Sequence, residues 1–179
     1  RFNVEACYGW SVIDACLADA SITRVPELTH SQVQTLLGAI GAKKGFGVWV
    51  PPADRAGLDW GLADTFELAP VLPSGYEQAA RVLGEVDVVW VAPGTSRLVA
   101  LYEVEHTTSI YSGLLRFNDV LILAPQARPR FGIVASDSRR DLFARQVRRP
   151  TFAASGLSDL CSFLDYGSVY AWFKRTTHG

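Results

Sequence analysis

Apolar residues at Val33, Leu36, Leu37 and Ile40 recur at i, i+3, i+4 and i+7, which predicts a helix with one buried face. Thr29 or Ser31 can cap its start, and Gly41 or Gly45 can end it. The run Phe46, Gly47, Val48, Trp49, Val50 predicts a short strand, stopped by Pro51 and Pro52 because neither can donate to a ladder. Residues 85–91 (EVDVVWV) and 98–105 (LVALYEVE) have the valine and aromatic content of strands, and residues 92–97 between them carry turn chemistry, so the pair predicts a hairpin. Apolar residues fill most positions of both strands, as expected where helices cover both faces of a sheet.

Beyond the hairpin, Ser109 can cap a helix running through Ile110, Leu114, Phe117 and Leu121. Residues 130–135 (RFGIVA) predict another strand, and residues 138–148 a basic helix ended before Pro150. Residues 157–164 and 169–173 look like short closing elements whose type the pattern leaves open. At the other end, Val4, Tyr8, Ile13 and Leu17 space loosely as a helix, and Pro26 ends whatever precedes the next one. Loops rich in Gly, Pro and Asp at 51–64 and 69–76 separate the blocks, and there is no internal repeat. The order is helix, three strands, helix, strand, an α/β arrangement with residues 1–28 as an N-terminal helical appendage and residues 29–179 as one domain.

At 179 residues and 49% hydrophobic, the chain can bury one sizeable core. A formal net charge of -1 argues against a nucleic-acid coat protein or a membrane-surface binder, so any anion site must be local. Cys7, Cys16 and Cys161 are odd in number and lack Cys-x-x-Cys spacing, which suits reduced thiols and argues against cysteine-ligated zinc. No apolar run approaches the roughly 20 residues of a membrane span, so a cytoplasmic location is expected. The chain begins at Arg1 and holds no methionine, which reads as a fragment of a longer polypeptide with further domains as partners.

Three acids interrupt the apolar hairpin. Glu103 and Glu105 are two apart in a strand and therefore share a face. A hairpin symmetric about Thr95 pairs Val91 with Val99, Val89 with Leu101, Asp87 with Glu103 and Glu85 with Glu105, with beta carbons of opposite residues about 5 Å apart. A slip of one residue would turn Asp87 to the other face. Single acids at strand ends commonly keep an edge soluble, but three converging between apolar strands lose hydration and repel one another. A divalent cation compensates such a group, and hard oxygen ligands suit Mg²⁺ or Mn²⁺, with Asp87 and Glu103 as ligands.

These residues resemble the PD-(D/E)xK nuclease superfamily over roughly residues 29–135. Asp87 in EVDVVW takes its aspartate position, and Glu103, Val104 and Glu105 in YEVEH take its acid-x-Lys position as an acid-x-acid variant. The resemblance implies a restriction-endonuclease-like core: helix, three-stranded antiparallel meander, helix and strand, with a mixed central sheet flanked by helices. It implies a Mg²⁺-dependent endonuclease that hydrolyses DNA, in restriction or defence, with double-stranded DNA as partner, and it allows a homodimer. Val86 replaces the proline before the aspartate, and Glu105 replaces the lysine, so Glu105 is a general base or an extra metal ligand. Lys43 or Lys44 could stand in for that lysine, although a solvated helix end also accounts for them. The superfamily often sets a Glu or Gln of its first helix near the metal, and Gln34, bordering the apolar stripe, is the candidate. His106 would face away from Glu105 if the strand continued, which favours a structural histidine.

Seven arginines from Arg128 to Arg149 stand against only Asp137 and Asp141, a local positive excess in a net negative chain. Arg139, Arg140, Arg148 and Arg149 are candidates for phosphate contacts, as is Arg116 on the helix after the acidic strand, which could equally offset the acids. No zinc finger, RNA-recognition motif or P-loop is present. Two other readings remain open: a degenerate module of the same fold that binds nucleic acid or protein without cutting, and a metal-free two-carboxylate glycosidase. Trp49, Trp60 and Trp90 could stack on a base or sugar, although Trp90 between two valines reads as core.

Overall fold

The structure, a computed structural model, describes residues 27–106 and 109–178. The expected helix at residues 4–17, with Cys7 and Cys16, lies outside them. The elements are α1 (His30–Lys43), β1 (Gly47–Trp49), α2 (Ala80–Leu83), β2 (Val88–Val91), β3 (Leu98–Glu105), α3 (Ile110–Leu123), β4 (Arg130–Ala135), α4 (Arg140–Val147), α5 (Pro150–Ser155), α6 (Leu157–Leu160), β5 (Cys161–Asp165) and α7 (Tyr166–His178). The five strands form one sheet in the order β1-β2-β3-β4-β5. β1, β2 and β3 pair antiparallel, and β4 and β5 continue in parallel.

Both faces are covered, as the apolar strands predict. Val89, Leu101, Phe131 and Ile133 pack with Ile110, Leu114 and Phe117 of α3, while Val88, Trp90, Tyr102 and Val134 pack with α1 and with Val169 and Trp172 of α7. Burial of so many large side chains, at about 1.5–3 kcal/mol each, is the main force holding the layers.

α1 starts where its cap chemistry sets it. Thr29 Oγ1 accepts from Gln32 N at 3.2 Å and Gln32 Oε1 accepts from Thr29 N at 3.0 Å, a reciprocal capping box. The expectation of one buried face was too narrow, since every residue from Val33 to Gly41 is buried. The loop after β1 folds over the outer side of the helix, where Thr35 Oγ1 accepts from Asp59 N and Gln34 Nε2 donates to Asp54 Oδ2.

The hairpin differs from its symmetric form in two ways. Val89 faces Leu101 as expected, but Val91 pairs with Leu98 rather than Val99, through a bulge beside Trp90. Ala92 N bonds Arg97 O at 2.9 Å, so the turn closes one residue early, with Gly94 at φ 68. β2 also starts only at Val88, because Glu85 N and Val86 N are already committed to Val82 O and Leu83 O at the end of α2. Glu85 therefore does not sit in the ladder opposite Glu105.

The single basic helix is in fact a 3₁₀ turn (Asp137–Arg139) followed by α4, and Pro150 opens α5 as its first residue. The untyped closing segments are α6 with most of β5, and the middle of α7. Cys161, on β5, is a free buried thiol pushed up from its ordinary pKa by burial. No helix among the described residues is long and apolar enough to cross a membrane.

Candidate active site

Asp87, Glu103, Glu105, His30, His106 and Arg116 line one open cavity of about 540 Å³ at the carboxyl end of β3. Alternation along β3 sends Glu103 and Glu105 to the α3 side, where both are only 3% exposed. α3 approaches them closely because Gly113 has no side chain: a methyl group there would lie 2.9 Å from Glu105 Oε1 and 3.4 Å from Glu103 Cβ. One turn further, Arg116 Nη1 reaches Glu103 Oε1 at 2.7 Å and Arg116 Nε lies 3.6 Å from Glu85 Oε2. Ser109 occupies the N-cap position of α3, but its side chain makes no capping bond.

Asp87 sits just before β2, and its side chain does what the missing ladder residue would have done. Oδ2 accepts from Val104 N at 2.7 Å, while Oδ1 lies 3.3 Å from His30 Nε2. Asp87 and Glu103 thus line one cavity, although Asp87 lies outside the ladder in which the symmetric hairpin paired it with Glu103. Burial first, then the charge of Asp87, pushes Glu103 well above the usual carboxylate range, against the pull of Arg116. Although Arg116 is close, Glu103 Oε1 has no hydrogen bond of acceptable direction, so the contact is an ion pair and not an aligned bond. Arg116 is held above its ordinary value: burial works against its charge, and Glu103 and Glu85 outweigh that.

Gln34 lies behind the cavity rather than on its wall. It is fully buried, and its Nε2 donates to Asp87 O at 3.2 Å and to Asp54 Oδ2 at 2.9 Å, so it braces the aspartate. Lys43 and Lys44 are remote from the site. Lys43 lines a separate cavity with Phe66 and Phe173, and Lys44 lies 5.7 Å from the Trp172 ring.

Although the strand ends at Glu105, His106 is turned to the α1 and α7 side of the sheet, away from the α3 side that Glu105 faces. Its ring stacks on Tyr166 with centroids 4.8 Å apart and lies 6.4 Å from that of His30, and it also lines the same cavity. Tyr166 donates from its hydroxyl to Glu105 O at 3.1 Å, and the same Tyr166 hydroxyl oxygen lies 3.0 Å from His106 Nδ1. Burial lowers the pKa of His106, while the hydrogen bond to Asp87 raises that of His30.

The arginines divide. Arg139 reaches the site, with Nη1 donating to Glu105 O at 3.3 Å. Arg140 forms ion pairs with Asp137 and Asp165 and lies 4.9 Å from the Phe163 ring centroid, with half of its side chain exposed. Arg149 covers Tyr111 at 4.9 Å and, like Arg148, is exposed. Trp49 and Trp90 are buried, and Trp60 is partly exposed.

Sequence reasoning missed His30, Asp54 and Tyr166. One ligand atom each from His30, Asp54 and Asp87 lies within 4.8 Å of the others, which among the described residues is the group of three close enough to hold a cation. No local pattern marks these residues: His30 merely follows a helix cap, Asp54 lies in a loop, and Tyr166 opens the last helix.

Comparison with known proteins gives a consistent result. Residues 13–177 match the family described as the type II restriction enzyme NmeDI C-terminal domain. Type II restriction enzyme NmeDI of Neisseria meningitidis serogroup C is 32% identical over 69% of the chain, which spans only 37% of that protein's length. No solved structure matches.

Proposed function

The chain belongs to the type II restriction enzyme NmeDI C-terminal domain family, and from that premise we propose that it is a Mg²⁺-dependent DNA endonuclease domain of the PD-(D/E)xK type, acting in restriction or defence. One observation carries the reading: a buried glutamate, Glu103, has an oxygen without an aligned hydrogen bond in a cavity it shares with Asp87 and Glu105. A buried carboxylate is costly unless something compensates it; Arg116 at 2.7 Å balances the charge without an aligned hydrogen bond, and a hard divalent ion would suit the oxygen donors present.

Asp87 and Glu103 would hold the ion, and Gln34 and Val104 N keep Asp87 in place. When bound, the ion would polarise the phosphodiester, lower the pKa of an attacking water and neutralise charge on the leaving oxygen. Glu105 stands on the same face of β3 as Glu103, in position to accept a proton from water at the cavity floor. Arg116 and Arg139 bring positive charge to the rim, and Arg148 and Arg149 extend it for the DNA backbone. Double-stranded DNA is the substrate this arrangement suits.

The test is cleavage of duplex DNA with Mg²⁺ by the wild type, Asp87→Asn and Glu103→Gln. Loss in both variants with retained folding is expected, and undiminished cleavage by both would remove the assignment. Glu105 in place of a lysine favours a second reading, a degenerate module that binds DNA without cutting. That reading predicts DNA binding with no Mg²⁺ or Mn²⁺ binding by calorimetry.

A further inference from the structure

Arg116 stands between two acids of opposite character. At one end is Glu103, only 3% exposed, and at the other Glu85, whose side chain is 57% exposed at the cavity rim. The guanidinium lies 2.7 Å from Glu103 Oε1 without an aligned hydrogen bond, so it neutralises the buried charge without being seated on it. Its own side chain is 26% exposed, which leaves a path outward along Glu85.

A guanidinium cannot shed its charge, so a divalent ion entering beside Glu103 meets it as a cation. At about 4 Å and an effective dielectric of about 20, that repulsion outweighs a tenfold change in affinity. Resting on the metal-site reading above, we infer that Arg116 is a placeholder for the ion. It balances Glu103 while the ion is absent and turns outward to the Glu85 side once the ion arrives, where a substrate phosphate meets it. Two functions share one side chain: charge balance in the empty site and phosphate contact in the loaded one.

The experiment measures Mn²⁺ binding by electron paramagnetic resonance for the wild type, Arg116→Gln and Arg116→Lys. Arg116→Gln is expected to bind at least about tenfold more tightly while losing cleavage, and Arg116→Lys, which keeps the charge, to bind like the wild type. Wild-type binding with unchanged or weaker binding by Arg116→Gln overturns the inference and leaves the metal-site reading standing. Absence of wild-type binding overturns both. Should Arg116→Gln fail to fold, the wild type decides: the Arg116 Nε–Hε nuclear resonance must change during a Mg²⁺ titration with the same midpoint as binding. A resonance that stays fixed while Mg²⁺ binds refutes the movement.

Discussion

Gly113→Ala separates the stability of α3 from the geometry of the acids. The added methyl would meet Glu105 Oε1 at 2.9 Å, Ile133 Cδ1 at 3.0 Å and Glu103 Cβ at 3.4 Å, against ordinary contacts of 3.4–4 Å. Its nearest neighbour is the end of a flexible side chain, so the Glu105 carboxylate must turn aside or the helix must lift by about half an ångström. Overpacking costs about 1–3 kcal/mol, and replacing a helical glycine by alanine returns about 1 kcal/mol. The net loss is therefore expected at about 0–2 kcal/mol by denaturant unfolding. Cleavage should suffer more, because displacement of a reacting group by up to 1 Å costs about a hundredfold in rate. Urea titration and single-turnover cleavage with Mg²⁺ test the pair of outcomes together. A variant that cuts at the wild-type rate would show that the approach of α3 to Glu105 has no part in catalysis, and the argument would fail.

Further outcomes follow from the same geometry. Without metal, Glu103→Gln should stabilise the protein increasingly as pH rises. The raised folded-state pKa of Glu103 means that stability is fully present below the usual carboxylate range and is lost as pH climbs through the folded value, and glutamine does not titrate. Unfolding curves from acid to neutral pH check this, and a gap that closes towards neutral pH contradicts it. Thr29→Ala removes the capping box and should cost about 1 kcal/mol, read as a shifted denaturant midpoint with unchanged slope. Loss of Arg148 or Arg149 should lower the slope of DNA affinity against salt by about 1 each. Arg140→Gln should leave that slope unchanged and reduce stability, since its charge is already held by Asp137 and Asp165.

Much of this architecture was legible where the signal is local. The i, i+3, i+4, i+7 stripe and the Thr29 cap located α1, and β3 occupies the predicted residues 98–105. The same alternation placed Glu103 and Glu105 on one face. Failures came where a local pattern met a distant partner. Glu85 and Val86 look like strand but are drawn back to the end of α2, and the stripe of α1 missed the loop packed over its outer side.

By itself the sequence determined which side chains avoid water, and so the helices, the strands and the two acids of β3, because periodicity records a contest between each segment and solvent. Only the tertiary structure decided that His30, Asp87, Glu103 and Arg116 meet in one cavity. Those residues come from separate elements, and their distances depend on strand order and on how closely α3 settles over Gly113. That information resides in packing between segments, which no spacing along the chain contains.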